Sequence, residues 1–167
     1  LLTGVFGFFF PDILGPSYSI IRASFSLGNG AIENCSVMVG VGFLCLFFVK
    51  ATATSLTVGS GGSGGLFAPA LVCGGGLGAS IGIFFKELLP ASMEINPAAF
   101  ALVGMAGFVA SSIRIPLTAI VMVAEISGNH NLLLPAMWVC GISFWLNNGW
   151  SLYRSQVHSR ISSPIHE

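Results

Sequence analysis

Charge is what this sequence has least of. Its 167 residues include six Lys or Arg and six Asp or Glu, 7% in all, where a soluble domain carries about 25%. So few charges cannot coat a globule of this size, and most of its surface must face lipid or buried protein. The formal net charge is zero. That removes the basic field a nucleic-acid partner needs, and there is no acidic tail. A peripheral membrane protein would also need charged faces that are missing. Paired cysteines are absent too. Cys35, Cys45, Cys73 and Cys140 are scattered without a CxxC spacing. Three of them lie inside apolar runs, where a thiol serves as a small core residue. The apolar stretch Leu1–Phe10 has neither a Met nor a charged region before it, so it does not read as a signal peptide. The chain is expected to be part of a longer protein whose upstream portion precedes Leu1.

What is present is apolar. Hydrophobic residues make up 54% of the chain and the mean hydropathy is +0.88. Leu1–Phe10 is stopped by Pro11 and Asp12, with Gly15-Pro16 following. Val37–Val58 is long enough to span a bilayer, although Lys50 interrupts it, and Leu66–Phe85 is a second run of spanning length, ended by Lys86-Glu87 and Pro90. Asn96-Pro97 reads as an N-cap and first helical residue, opening a helix to about Ile113. Pro116 restarts the chain for Leu117–Ile126, and Ser127-Gly128-Asn129 breaks it. Leu132–Leu146 is the next apolar run, Asn147-Asn148-Gly149 turns, and a last helix is expected from near Ser151. Helices of roughly 10–15 residues cover only half to three-quarters of a ~30 Å hydrocarbon core. Broken apolar segments of this kind are found in transporter folds built from discontinuous helices. Their exposed ends need protein or a watery cavity around them. The chain contains no convincing internal repeat. The fold class expected is all-α integral membrane, with several tilted and discontinuous helices.

The segment from Gly59 to Pro69 stands apart, with five glycines and two serines ahead of a long apolar helix. Glycine permits positive φ and close backbone approach, so the stretch can fold tightly and aim several N–H groups at one point. The first amides of a helix lack intrahelical partners and carry the positive end of the macrodipole. An anion is their natural ligand. Gly59, Gly61 and Gly64 formally match GxGxxG, but they lie between two runs of membrane length rather than between a strand and a helix, and no Lys-Ser/Thr follows. Nucleotide binding is therefore disfavoured; a plain linker is opposed by Leu66-Phe67 directly after the glycines. Between Ala51 and Phe85 there is no charge at all, which suits an ion held weakly enough to pass on.

These residues resemble a known family. Gly65-Leu66-Phe67-Ala68-Pro69 resembles the GxFxP signature of the CLC chloride channels and chloride/proton antiporters, and the Gly-Ser-Gly-Gly-Ser-Gly before it fits the same pattern. Ser112-Ile113-Arg114-Ile115-Pro116-Leu117-Thr118 resembles the family's helix-to-helix junction. Val123-Ala124-Glu125-Ile126-Ser127-Gly128-Asn129 resembles the end of the next helix. Ser151-Leu152-Tyr153 sits where the family places the tyrosine opening its last membrane helix. The resemblance implies that the amides of Leu66 and Phe67, next to Gly65, hold a chloride ion, with the Tyr153 hydroxyl as a second donor. Alone, Tyr153 would read as an interfacial residue. Pro69 belongs to the signature, while Arg114 and Glu125, near helix ends, take structural roles. His130 reads as a loop residue.

The resemblance further implies a C-terminal portion of the membrane core over residues 1–153, with 154–167 as the end of the last helix and a cytoplasmic tail. Arg154, His158 and Arg160 give that end a basic, cytoplasmic character. A multi-pass protein of the plasma (inner) membrane is expected, not an enzyme, with chloride as the transported ligand and no metal or organic cofactor. A homodimer is implied, with Leu117–Ile126 and Leu132–Leu146 as candidate interface helices. The family's GSGxP and GxEGP motifs are absent here and belong upstream, so channel and antiporter are equally open. The alternative is a membrane-embedded structural or phosphate-binding subunit using the glycine-rich turn. A base for such chemistry would have to be Lys50 or Glu87, each at the far end of an apolar run.

Overall fold

Serine and threonine compete for backbone hydrogen bonds and could weaken a membrane helix, yet the first helix closes every such group on itself. In α1, Val37–Gly59, the hydroxyls of Thr52, Thr54, Ser55 and Thr57 each donate to a carbonyl one turn earlier. No polar side chain of this stretch is left to face lipid bare. Lys50 does not break the helix; its long stem lies in the face turned toward α2, where Gly40, Phe43 and Ala53 are also buried. The computed structural model describes residues 37–89, 95–147 and 149–153, and all regular elements among them are helical. The predicted stretch Leu1–Phe10, Cys35 and the basic cluster Arg154, His158 and Arg160 lie outside the described residues.

Helix α2, Phe67–Leu88, starts one residue later than the apolar run suggests and ends later. Lys86 and Glu87 do not stop it. Lysine and glutamate are good helix formers, and Lys86 sits in the last turn, where a cation is favoured. Helices α1 and α2 are long and apolar enough to cross a membrane. Helix α3, Pro97–Ser112, opens as expected: Asn96 Oδ1 accepts the Ala98 amide at 3.0 Å and Pro97 takes the first turn. It ends at Ile113-Arg114, where Arg114 adopts φ 63°. Helix α4, Pro116–Ser127, is closed by Gly128 in the left-handed region. His130 is not in an open loop but in a single 3₁₀ turn, His130–Leu132, because Asn129 Oδ1 accepts the Asn131 amide. Helix α5 is Leu133–Leu146.

The antiparallel pair α2 and α3 is the centre of the fold, with α1 against α2, and α4 and α5 against α3. Close approach of the central pair rests on glycine: a Cβ at Gly104 would lie 2.6 Å from the Gly74 carbonyl oxygen and 2.8 Å from Gly78 Cα. The core beneath comprises Met105, Ala106 and Val109 of α3, Ala119 and Val123 of α4, and Ala136 and Cys140 of α5. Cys73 and Cys140 are buried as the sequence implies, but Cys45 is exposed on α1; it lies on the face away from α2.

Candidate functional site at the glycine-rich turn

The turn between α1 and α2 divides into two halves with different work. Its first half closes α1: the amides of Ser60, Gly61 and Gly62 donate back to Leu56, Val58 and Thr57 at 3.0–3.1 Å. Gly61, at φ 81°, makes that reversal possible; it is the left-handed closure glycine favours. The second half is different. Among the described residues, no acceptor takes the amides of Ser63, Gly64, Gly65, Leu66, Phe67 or Ala68, and the first bond into α2 is Ala70 N–H to the Leu66 carbonyl. A Cβ at Gly64 or Gly65 would meet nothing within 4 Å. The start of α2 therefore presents a cluster of free donors at the positive end of a 22-residue helix, in open space.

A cleft of about 330 Å³ opens beside this end. Ala51, Thr54, Ser55, Val58 and Gly59 of α1 form one wall, and Leu66, Pro69, Ala70 and Cys73 form the other; Phe108 of α3 and Leu152 close it. Not one of these residues carries a charge, so the cleft offers dipoles and apolar surface only. Of the predicted site, Leu66 and Pro69 line the cleft directly. Gly65 precedes them, and Phe67 is partly exposed at the head of α2. Tyr153 is not in the cleft wall; its neighbour Leu152 is.

The segment 149–153 is carried to this end by the C-terminus of α3. The Leu152 amide donates to the Ser112 carbonyl at 2.9 Å. Asn147, just past α5, donates through Nδ2 to the Ser111 carbonyl at 2.6 Å and to the Trp150 carbonyl at 3.0 Å. No helix begins by Tyr153, but Ser151 Oγ accepts the Tyr153 amide at 3.2 Å, the contact a capping serine makes; the helix expected beyond it lies outside the described residues. Arg114 and Glu125 are not brought into the cleft. The Arg114 guanidinium stacks over the Phe144 ring at 5.0 Å, tying the α3–α4 junction to α5. Glu125 is exposed in the last turn of α4.

Sequence reasoning passed over the Asn147 clamp, which was read only as part of a turn. Its signal was weak, since only the fold brings residues 111 and 147 together. The clamp supports a direct test. Asn147→Leu removes two hydrogen bonds, one to the half-buried Ser111 carbonyl and one to the exposed Trp150 carbonyl, each worth about 1 kcal/mol or less. Faster exchange of the Leu152 amide by mass spectrometry, with the α2–α3 core amides unchanged, is the expected result.

Comparison with known proteins shows the family of the chain. Residues 1–148 match the family described as voltage gated chloride channel. The chain is 32% identical over 169 aligned residues to an H(+)/Cl(-) exchange transporter ClcA of Vibrio parahaemolyticus, covering 98% of this chain and 34% of that protein. It is 34% identical over 139 residues to the ClcA exchange transporter of Salmonella arizonae, covering 83% of this chain and 27% of that protein. The chain thus spans about a third or less of the length of these curated relatives. An all-helical chain with a donor-rich helix start beside an uncharged cleft, matched to one family over residues 1–148, belongs to the voltage-gated chloride channel family.

Proposed function

We propose that the protein to which this chain belongs carries chloride across a membrane, and that the head of α2 is part of its anion site. The observation that carries this reading is the run of unaccepted amides from Ser63 to Ala68 at an uncharged cleft. Dipoles suit a passing ion, because a direct ammonium or guanidinium contact would bind it too tightly to release quickly. The amides of Leu66 and Phe67 are the donors and Tyr153 supplies a hydroxyl, a neutral hydrogen-bond donor. No enzymatic step and no metal or organic cofactor enters this reading. The relatives' names favour chloride/proton exchange over a simple channel.

In this reading residues 1–153 form the C-terminal part of the membrane core and 154–167 its cytoplasmic tail, in a plasma-membrane protein. The protein is a homodimer. Leu117 and Val121 on α4, and Leu134, Trp138 and Trp145 on α5, are exposed, and so large an apolar surface suits a second copy or lipid.

Full-length protein in chloride-loaded liposomes is expected to release chloride well above empty vesicles, with proton uptake if it exchanges. Tyr153→Phe removes one donor, worth about 1.5–3 kcal/mol when the partner is an ion, and is expected to raise the half-saturating chloride concentration about tenfold or more. Efflux equal to that of empty vesicles would sink the transport reading. An unchanged chloride dependence in Tyr153→Phe would remove the tyrosine from the site.

A further inference from the structure

The glycines of α2 fix its register against α3. An added Cβ would lie 2.9 Å from Pro97 Cα at Gly82, 2.9 Å from Ala101 Cα at Gly78 and 2.9 Å from Met105 Cα at Gly74. Four residues back along α2 are thus four forward along α3. Two further steps bring Leu66, at the head of α2, level with Ile113, just past the end of α3. The positive end of one helix therefore lies at the negative end of the other. Leu66, Ala70 and Phe108 accordingly share one cleft. An anion on the amides of Leu66 and Phe67 has the last carbonyls of α3 for neighbours, and bare carbonyl oxygens repel it. These carbonyls are covered. Asn147 Nδ2 donates to the Ser111 carbonyl at 2.6 Å. The Leu152 amide donates to the Ser112 carbonyl at 2.9 Å, and the Ile113 amide to the Val109 carbonyl at 3.0 Å.

We propose that Asn147 is a positioning residue for the anion site: it holds segment 149–153 over the carbonyl end of α3, and so keeps that end from opposing the ion. Asn147 does not line the cleft and acts through the segment. Its backbone is fixed by α5, because its amide donates to the Ser143 carbonyl at 3.1 Å and α5 packs on α3. Its side chain then joins two pieces of chain. One nitrogen with two N–H groups serves the Ser111 carbonyl and, at 3.0 Å, the Trp150 carbonyl. Its own carbonyl accepts the Gly149 amide at 2.8 Å, which tightens the turn between them. Leu152, two residues beyond Trp150, is thereby set as a wall of the cleft. Leucine at position 147 would fill the space and hold neither carbonyl, and aspartate would keep the shape but bring no N–H.

This role rests on the anion reading, and its test separates the two. Full-length wild type, Asn147→Leu and Asn96→Ala are reconstituted in liposomes and assayed for chloride flux against chloride concentration. Asn147→Leu is expected to raise the half-saturating chloride about three- to tenfold, the range for loss of one or two hydrogen bonds, with a smaller change in maximal rate. Asn96→Ala removes the cap at the opposite end of the same helix, where Asn96 Oδ1 accepts the Ala98 amide. It loosens α3 away from the cleft and is expected to leave the half-saturating chloride within about twofold of wild type. Coupling between two sites is reciprocal, so chloride should slow exchange of the wild-type Leu152 amide relative to gluconate at equal ionic strength. Wild-type flux with an unchanged chloride dependence in Asn147→Leu overturns this inference and leaves the transport reading standing. An equal rise in Asn96→Ala makes the effect general destabilisation and also overturns it, as does Leu152 exchange that ignores chloride. If Asn147→Leu does not assemble, Asn147→Ser replaces it, and failure of both makes Asn147 a folding residue and ends the proposal. Wild-type vesicles that pass no chloride overturn the parent reading and the inference together.

Discussion

Gly104→Ala is expected to cost the protein about 3 kcal/mol of stability and most of its correctly assembled yield. Inserting atoms into a packed interior costs about 1–3 kcal/mol, and more where nothing can yield. At Gly104 the obstacles are backbone: the Gly74 carbonyl oxygen at 2.6 Å, Gly78 Cα at 2.8 Å and Gly78 N at 3.1 Å from the added Cβ. A side chain could rotate away, but a helix backbone cannot do so without moving α2 off α3. Among the described residues, these two helices form the most extensive packed contact. Lipid gives no hydrophobic drive for helices to associate, so close small-residue contacts carry much of the association. The same shift would displace the head of α2 from Leu152, so surviving protein should also bind anion poorly. Gly42→Ala is the control, since a Cβ there meets nothing within 4 Å, and alanine is the better helix former by about 1 kcal/mol. Thermal unfolding in detergent, followed by size exclusion, should show a large fall for Gly104→Ala and none for Gly42→Ala. Equal behaviour of the two would mean that α2 and α3 do not rely on this contact.

The second large effect is expected at Leu66, and it separates backbone from side chain. Leu66→Pro deletes one N–H. Leu66→Ala deletes the side chain and keeps the N–H. Position 66 has φ −86°, near proline's range, and the preceding Gly65 tolerates the restriction proline places on its neighbour. The Leu66 carbonyl still accepts the Ala70 amide, so α2 can start normally. A hydrogen bond to a charged partner is worth about 1.5–3 kcal/mol, or roughly ten- to a hundredfold in affinity. Titration of the full-length protein with chloride should show that loss for Leu66→Pro and a change within about threefold for Leu66→Ala. If alanine weakens binding as much as proline does, the leucine side chain matters, and the amide does not hold the ion.

Several local features were readable without coordinates because they depend on neighbours in sequence. Asn96-Pro97 starts α3, Pro116 starts α4 and Gly128 ends it, each through bonds spanning a few residues. The glycine turn was also readable as a helix start with free amides, since free amides follow from where a helix begins. The helix ends were read less well. Lys86 and Glu87 looked like a stop and are the last turn of α2, because a charge ends an apolar run without ending a helix. Lys50 was read as an interruption, and the fold makes it a buried residue facing α2, a change that helix phase and the neighbour decide together.

The sequence by itself determined the solvent this chain folds in, the helical nature of its segments and the chemistry of its most distinctive turn. Those properties follow from composition and from short-range hydrogen bonding, which a few adjacent residues carry. Tertiary structure alone decided that Gly74 and Gly78 meet Gly104, that Asn147 and Leu152 hang from the last carbonyls of α3, and that the head of α2 shares a cleft with the segment before Tyr153. Each of those contacts joins residues at least 26 positions apart, the shortest span being Gly78 to Gly104. Their partners depend on how helices cross, and crossing is set by packed surfaces rather than by the order of residues along the chain.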